Sequence, residues 1–391
     1  MPDEESNMIK IKNARAVLDS AVKETNIYVD GGRIHAVTDE ALPADSEIDA
    51  RGRYVAPGFI DTHVHGAGGV DYMGSVEDFR TASALHLAHG TTTILPTTMA
   101  ASFEALKTAI DNFKAVAADA GTGNLPNMPG MHLEGPYFSP KQAGAQPPEF
   151  IYPPRPAEYT ELISRAEGAI AKWSFAPELP GTVEFCDALT RNGILPSIAH
   201  TDATYEDVLR VFEHGARCLT HFYSSMSTIT RRSGFRVPGV IEAGYLLDEM
   251  WVEVIGDGCH LPEPLLKMIL KMKGDHRIMT VTDAIAEAFL PEGVELPGSG
   301  HVIEDGVSKM ADRTCFAGSI ASTDRIVRTM VKVAGCDLPT AVRMMTKNPA
   351  SYLGLRTKGS LLAGYDADLV FFGDDIAVDT VMLGGRIVKT N

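Results

Sequence analysis

The sequence predicts a (β/α)8 barrel of the TIM type carrying a small β-sandwich domain built from both chain termini. Two patterns carry this expectation. Eight apolar runs of strand length alternate with helix-compatible stretches through the middle of the chain, which implies parallel pairing. The two ends share a different texture, with short β-rich runs broken by Asp, Gly and Pro. A third observation separates a closed barrel from an open sheet: the strong polar signals fall at the carboxyl ends of the runs, where active sites of this barrel lie.

The N-terminal runs are MIKIKNARAVL, NIYVDGGRIHAVT and SEIDARGRYVAPG, and the C-terminal ones are GSLLAGYDADLVFFGDD and TVMLGGRIVKT. Residues 1–56 and 358–391 are therefore assigned to the small β domain and residues 57–357 to the barrel. The barrel strands are expected near 58–65, 92–97, 130–134, 172–176, 194–199, 216–221, 252–256 and 278–283. Helices are expected over 77–90, 102–118, 182–192, 204–214 and 262–273, with Thr204 as a cap for one and Gly215 at its end. The stretch 284–318 lacks periodicity and reads as long loops over one face of the barrel.

Composition narrows the function. At 391 residues, 45% hydrophobic and 22% charged, the chain reads as an ordinary globular enzyme, not a disordered, collagenous or coiled-coil protein. A net charge of −16 repels nucleic acid and anionic membrane, although a few local arginines can still receive an anionic substrate. No apolar run reaches the ~18 residues of a membrane span. The start, MPDEESNMIKIKN, is acidic where a secretory signal is basic. The five cysteines form no CxxC pair and are odd in number, as expected of reduced thiols in a cytoplasm.

The chemistry-bearing residues then follow in order. GFIDTHVHG presents His63 and His65, which point to one side of a strand because alternate residues share a face. MPGMHLEGP ends a run with Glu134, LPSIAHTDA supplies His200, RCLTHF supplies His221 and RIMTVTDA supplies Asp283. Four imidazoles and two carboxylates gathered at one barrel mouth suit one or two divalent ions: Zn²⁺, Fe²⁺, Co²⁺ or Mn²⁺. Any one of the six alone would more often be a hydrogen-bonded structural residue; six at five strand ends are hard to read that way. Of the other histidines, His35, His276 and His301 read as surface, His86, His89 and His214 as helical, and His132 as out of phase with Glu134.

The order PGFIDTHVHG, a carboxylate, two separated histidines and a late TDA aspartate resembles the amidohydrolase superfamily. More narrowly, HLEGPYFSPKQAGAQ, IAHTDA, THFYSSM, DGCHL, VTDA, FAGSIAS and KGSLLAGYDADLVFF are similar to the N-acetylglucosamine-6-phosphate deacetylase family. The resemblance runs from about residue 50 to the C-terminus, and the N-terminal β segment fits it too. It implies that His63 and His65 bind one metal and His200 and His221 the other, with Glu134 between them. Some family members lack the HxH pair and use one metal. It implies that Asp283 is the catalytic base, although an aspartate there could be a plain ligand or a helix cap. Arg232, in TITRRSG between Arg231 and Arg236, falls at the family's phosphate-binding arginine and suits a phosphate monoester; a solvated loop is the alternative. His260 matches a histidine that contacts the sugar, and Cys259 beside it is a soft ligand or, more simply, packing.

Three departures bear on the substrate. Gln146 stands where the family usually has a histidine that helps hold the substrate carbonyl; Gln can donate a hydrogen bond but carries no charge. Ser224 and Ser225 replace an Asn-Ala pair near the sugar and its phosphate, and the segment after the arginine is spaced differently. The expected activity is removal of acetate from an N-acetylhexosamine 6-phosphate, N-acetylglucosamine 6-phosphate first and its galactosamine epimer second. An N-acylamino acid deacylase or cyclic-amide hydrolase is a rival. Many cyclic-amide enzymes bridge their metals with a carboxylated lysine, whereas Glu134 occupies that position here. A non-catalytic scaffold would be expected to lack ligands, and all six are present. The family also implies a homodimer, whose phosphate site can borrow a residue from the neighbour.

Overall fold

The computed structural model describes residues 7–291, 294 and 296–390. Eight parallel strands alternate with helices through the middle of the chain: β1 (Phe59–Val64), β2 (Thr91–Pro96), β3 (Met131–Glu134), β4 (Ile170–Phe175), β5 (Leu195–Ile198), β6 (Cys218–Leu219), β7 (Trp251–Ile255) and β8 (Ile278–Val281). Strands β3 to β8 form one six-stranded parallel sheet in sequence order, and β1 pairs with β2 in a second. Backbone contacts continue at both seams. A parallel bridge joins Thr97 to His132 between β2 and β3. Across the other, Asp283 N donates to His63 O at 2.9 Å and His65 N donates to Ala284 O at 2.7 Å.

Alternation along β4 explains how such a strand serves two environments. Trp173 and Phe175 point outward and meet the ring of Phe185, with centroids 5.1 and 5.3 Å away. That ring belongs to α4 (Thr182–Arg191), counted after α1 (Val76–Ala88), α2 (Phe103–Ala117) and α3 (Pro156–Ala166). Lys172 and Ser174, on the other face of β4, are fully buried. Ser174 Oγ lies 2.7 Å from His132 Nε2 and 2.9 Å from Thr220 Oγ1, which is 2.5 Å from Ser197 Oγ. On this face of the sheet the side chains form a hydrogen-bonded polar network, not an aliphatic layer.

Helix starts follow capping chemistry. Ser75 with Asp78 opens α1, and Thr204 with Asp207 opens α5 (Tyr205–Glu213), each as a reciprocal capping box. His214 caps α5, and Gly215 beyond it has a φ of 111°, so the sequence's stop signal is used one residue past the cap. Helices α6 (Val240–Leu246), α7 (Glu263–Lys273), α8 (Thr323–Lys332), α9 (Leu338–Met345) and α10 (Lys347–Leu353) complete the set. Of these the sequence pattern had marked α7 alone, and α3 was also missed. The 284–318 stretch is not wholly loop: His301–Glu304 and Val307–Met310 form an antiparallel hairpin. His301 is half-buried there, its Nδ1 3.1 Å from Glu287 Oε1, and so is not a surface residue.

Both termini build one eight-stranded sheet. Its N-terminal members are Ile9–Val17, Val22–Asp30, Arg33–Thr38, Ser46–Asp49 and Tyr54–Pro57; Leu369–Phe372, Val378–Leu383 and Arg386–Thr390 complete it. The two halves join where Leu369–Phe372 runs antiparallel to Tyr54–Pro57. The joining strand faces both ways: Leu369 and Phe371 enter a small core with Ile11, Val29 and Val55. Val370 and Phe372 enter the main core with Phe59. Entry into β1 is close-packed, since a Cβ at Gly58 would meet the Thr92 side chain at 2.1 Å. Among the described residues, no helix is long and apolar enough to cross a membrane.

Candidate metal centre

Each ligand-type side chain is carried by a strand end. His63 lies within β1 and His65 just past it; Glu134 is the last residue of β3. His200, His221 and Asp283 each stand two residues beyond β5, β6 and β8. At those three positions the backbone is left-handed, with φ of 44°, 36° and 51°. Non-glycine residues rarely adopt this conformation, and its cost of about 1–3 kcal/mol each is tolerated where surrounding structure fixes the side chain's direction. Here it turns three side chains back toward one point.

That point is crowded with donor atoms. His63 Nε2 lies 3.1 Å from His65 Nε2, and His200 Nε2 lies 3.2 Å from His221 Nε2. Glu134 stands between the pairs: Oε1 is 2.9 Å from His221 Nε2 and 3.2 Å from His200 Nε2, while Oε2 is 3.4 Å from His65 Nε2. Asp283 Oδ1 lies 3.4 and 3.3 Å from the Nε2 atoms of His63 and His65. Two ligand triplets result, His63–His65–Glu134 and Glu134–His200–His221, sharing the carboxylate. Ligands about 2.0–2.1 Å from a tetrahedral ion stand about 3.3 Å from one another, so these separations fit such an ion.

The carboxylates and imidazoles of the cluster stabilise one another's charges. Burial would raise the carboxyls, yet the imidazoles of His63, His65 and His221 hold Asp283 down at about 2. Glu134 is likewise held well below its ordinary value, against its burial, by His63, His200, His221 and His65. Despite burial, Asp283 and Glu134 push His65 up to about 10. Without a metal, a proton on His65 offsets the carboxylates, and an ion bound there would have to displace it.

The match to known proteins agrees with this geometry. Residues 54–388 match the amidohydrolase family. The chain belongs to that family. An N-acetylglucosamine-6-phosphate deacetylase of Lysinibacillus sphaericus is 31% identical over 378 residues, covering 94% of this chain and 95% of the relative. An N-acetylgalactosamine-6-phosphate deacetylase of Escherichia coli O157:H7 is also 31% identical, covering 98% of this chain and all of the relative. Among solved structures, a mutant N-acetyl-D-glucosamine-6-phosphate deacetylase of Mycobacterium smegmatis in complex with N-acetyl-D-glucosamine-6-phosphate superposes with a TM-score of 0.88. Its identity is 30%, over 98% of this chain and 100% of that one.

Around the centre of this amidohydrolase, the expected substrate residues divide. Gln146 is buried beside the cluster: its Nε2 donates to Glu134 Oε2 at 2.6 Å and its Oε1 accepts from Ala100 N at 2.7 Å. Both ends of the amide are therefore engaged. Ser225 is near, since a Cβ on Gly144 would meet Ser225 Oγ at 2.8 Å and the His200 ring at 3.3 Å. The Ser224 N–H donates to His221 O. His260 is fixed by Asp257, with Nδ1 2.8 Å from Oδ2, and meets the edge of Phe316. Arg232 lies elsewhere in character: it ends strand Thr230–Arg232 of an exposed hairpin with Phe235–Val237. Cys259 is half-buried and lies outside both ligand triplets.

Several supporting residues escaped the sequence reading. The Gln142 carbonyl lies 2.8 Å from His200 Nδ1, and Glu178 accepts from Thr201 Oγ1 and Asp202 N, holding the turn after His200. Asp61, two residues before His63, accepts from Thr282 Oγ1 at 2.6 Å, and burial raises its carboxyl to about 7. Deeper lies the Lys172–Glu253 ion pair, both residues fully buried. A signal for that pair existed: Lys and Glu inside two otherwise apolar strand runs, where a charge is stable only with a partner.

Proposed function

We propose that this amidohydrolase removes the acetyl group of an N-acetylhexosamine 6-phosphate, giving acetate and an amino sugar phosphate, with N-acetylglucosamine 6-phosphate its first substrate. The carrying observation is the pair of ligand triplets sharing Glu134, with Asp283 Oδ1 3.3–3.4 Å from the first histidine pair. The relatives named above supply the substrate class. The sandwich reading of the terminal sheet, closure of the eight strands as a (β/α)8 barrel and the division at residues 56/57 and 357/358 belong to the same proposal. So do a homodimer and a cytoplasmic location.

His63, His65 and Glu134 would hold one divalent ion and His200, His221 and Glu134 a second, from the N/O-binding set Zn²⁺, Fe²⁺, Co²⁺ or Mn²⁺. The chemistry such an ion supplies is acidification of water toward a pKa of about 7 and polarisation of a carbonyl. Asp283, ionised and aimed at the centre, takes the proton of the attacking water on a carboxylate oxygen. It later gives that proton to the departing amine nitrogen. Gln146, Ser224, Ser225 and His260 line the sugar side. Gln146 places a neutral donor against Glu134, and Arg232 offers its guanidinium fork to the phosphate.

The galactosamine epimer is the second reading, favoured by the Escherichia coli O157:H7 relative. The test is amine release by metal-reconstituted protein from both phosphorylated epimers and from unphosphorylated N-acetylglucosamine. Chelator-sensitive release from one phosphorylated sugar selects the epimer. Release from none, with metal bound, overturns the substrate assignment and leaves the hydrolase chemistry to an open amide screen.

A further inference from the structure

A fully buried charged group behind the metal centre points at one of its ligands. Glu253 on β7 is fully buried. Its Oε1 accepts from Thr62 Oγ1 at 2.6 Å and from the Lys172 ammonium. Its Oε2 is left without a hydrogen-bond partner, and so is Nδ1 of His63, also fully buried. These two orphan atoms face each other 3.8 Å apart. Buried polar atoms are rarely left unpaired, and a small rotation of either side chain joins them. The Nε2 of the same ring is the atom that lies 3.1 Å from His65 Nε2.

We propose that Glu253 is a positioning residue that keeps the His63 proton on Nδ1, so that the Nε2 lone pair faces the metal centre. A carboxylate behind a ligating imidazole fixes both tautomer and ring orientation. Lys172 makes this arrangement tolerable: an isolated carboxylate this deep would be strongly destabilising, and an ammonium on its far oxygen compensates it while leaving the near oxygen free. The Thr62 hydroxyl, from the residue next to His63, further fixes which oxygen is turned away. The inference rests on the metal-centre reading given above and adds a role to two charges that reading does not use.

Glu253→Gln tests it with a change of one atom. The glutamine carbonyl must keep facing Lys172 and Thr62, so its NH2 is turned toward His63 Nδ1, forcing that nitrogen to accept and moving the proton to Nε2. Because Lys172 then lacks a countercharge, Glu253→Gln/Lys172→Gln is made alongside it; this variant carries no buried unpaired charge. Two readouts are taken on folded protein: the tautomer of His63 in metal-free, 15N-histidine-labelled samples, and bound Co²⁺ per subunit across a titration. Wild type should show the proton on Nδ1 and both variants should show it on Nε2. Affinity at the His63–His65 pair should fall about 10–100-fold, with the His200–His221 pair unchanged. A His63 tautomer that is the same in wild type and variants overturns the inference. Equal Co²⁺ affinity at the first pair overturns it too. Wild type that binds no Co²⁺ at either pair overturns the metal-centre reading instead, and the tautomer comparison still decides the role of Glu253.

Discussion

The metal centre at the strand ends and the arginine hairpin differ in nearly every physical respect. At the centre, Glu134, His200, His221 and Asp283 are all less than a tenth exposed, and each is held by two or more neighbours. In the hairpin, Arg231, Arg232, Phe235 and Arg236 are exposed, and the three arginines have no ion pair among the described residues. Groups that must meet a reacting atom within tenths of an ångström are carried by the rigid scaffold, while a group that must reach a variable part of a substrate is carried by a loop. If Arg232 receives the phosphate as proposed, chemistry is separated from recognition, and substitutions in the two regions should fail in different ways.

The largest effect is expected where the two triplets share a ligand. Glu134→Ala takes one donor from each and leaves four imidazoles without the carboxylate that holds them together. Metal content should fall at both pairs and turnover should drop to background, measured by elemental analysis and amine release on the same preparation. Retention of two ions would break the picture of a shared carboxylate. Asp283→Asn comes next. It keeps shape and a hydrogen-bonding oxygen but removes the proton acceptor, so kcat should fall about 10²–10⁴-fold, the usual worth of general acid–base catalysis. Metal content should be preserved; loss of metal would make Asp283 a ligand first and a base second.

The contrast also explains what was legible beforehand. Seven of the eight strand positions could be read closely because a buried parallel strand is a continuous apolar run. The run at 216–221 shrank to Cys218–Leu219, since Thr220 and His221 turn into the mouth. The six ligand-type residues were visible for the same reason: polar side chains ending apolar runs contradict their surroundings. Helices α3, α6, α8, α9 and α10 were not. Several are short or begin beside Pro or Gly, and their helical period is brief. The hydrogen bonds around the ligands were invisible in principle, because Gln142, Glu178, Lys172 and Glu253 meet their partners across 20 or more residues of sequence. The hairpin was legible as an arginine cluster and nothing more.

On the recognition side, Arg232→Ala should act on KM. Charge-assisted hydrogen bonds contribute about 1.5–3 kcal/mol, so KM for a phosphorylated sugar should rise about 10–100-fold while kcat changes little. The unphosphorylated sugar should be processed as before, which separates lost phosphate binding from general damage. An equal loss for both sugars, or a fall in kcat with KM unchanged, would tie the hairpin to the chemistry and erase the distinction drawn above.

The smallest effect is expected one strand away. Phe235 is 78% exposed and Ile229 56%, so within one chain their rings and methyls gain little from folding. Phe235→Ser should shift the unfolding free energy by no more than about 0.5 kcal/mol, as exposed positions usually do. Thermal melts at low protein concentration measure this directly. The same substitution in a well-packed site would cost several times more, so the size of the shift reports whether the hairpin has a neighbour. A shift that grows with protein concentration would mean that a second copy covers Phe235, as a homodimer predicts, because only association makes stability depend on concentration. The arginines beside it would then be ordered by assembly, and the recognition region would join the scaffold only in the dimer.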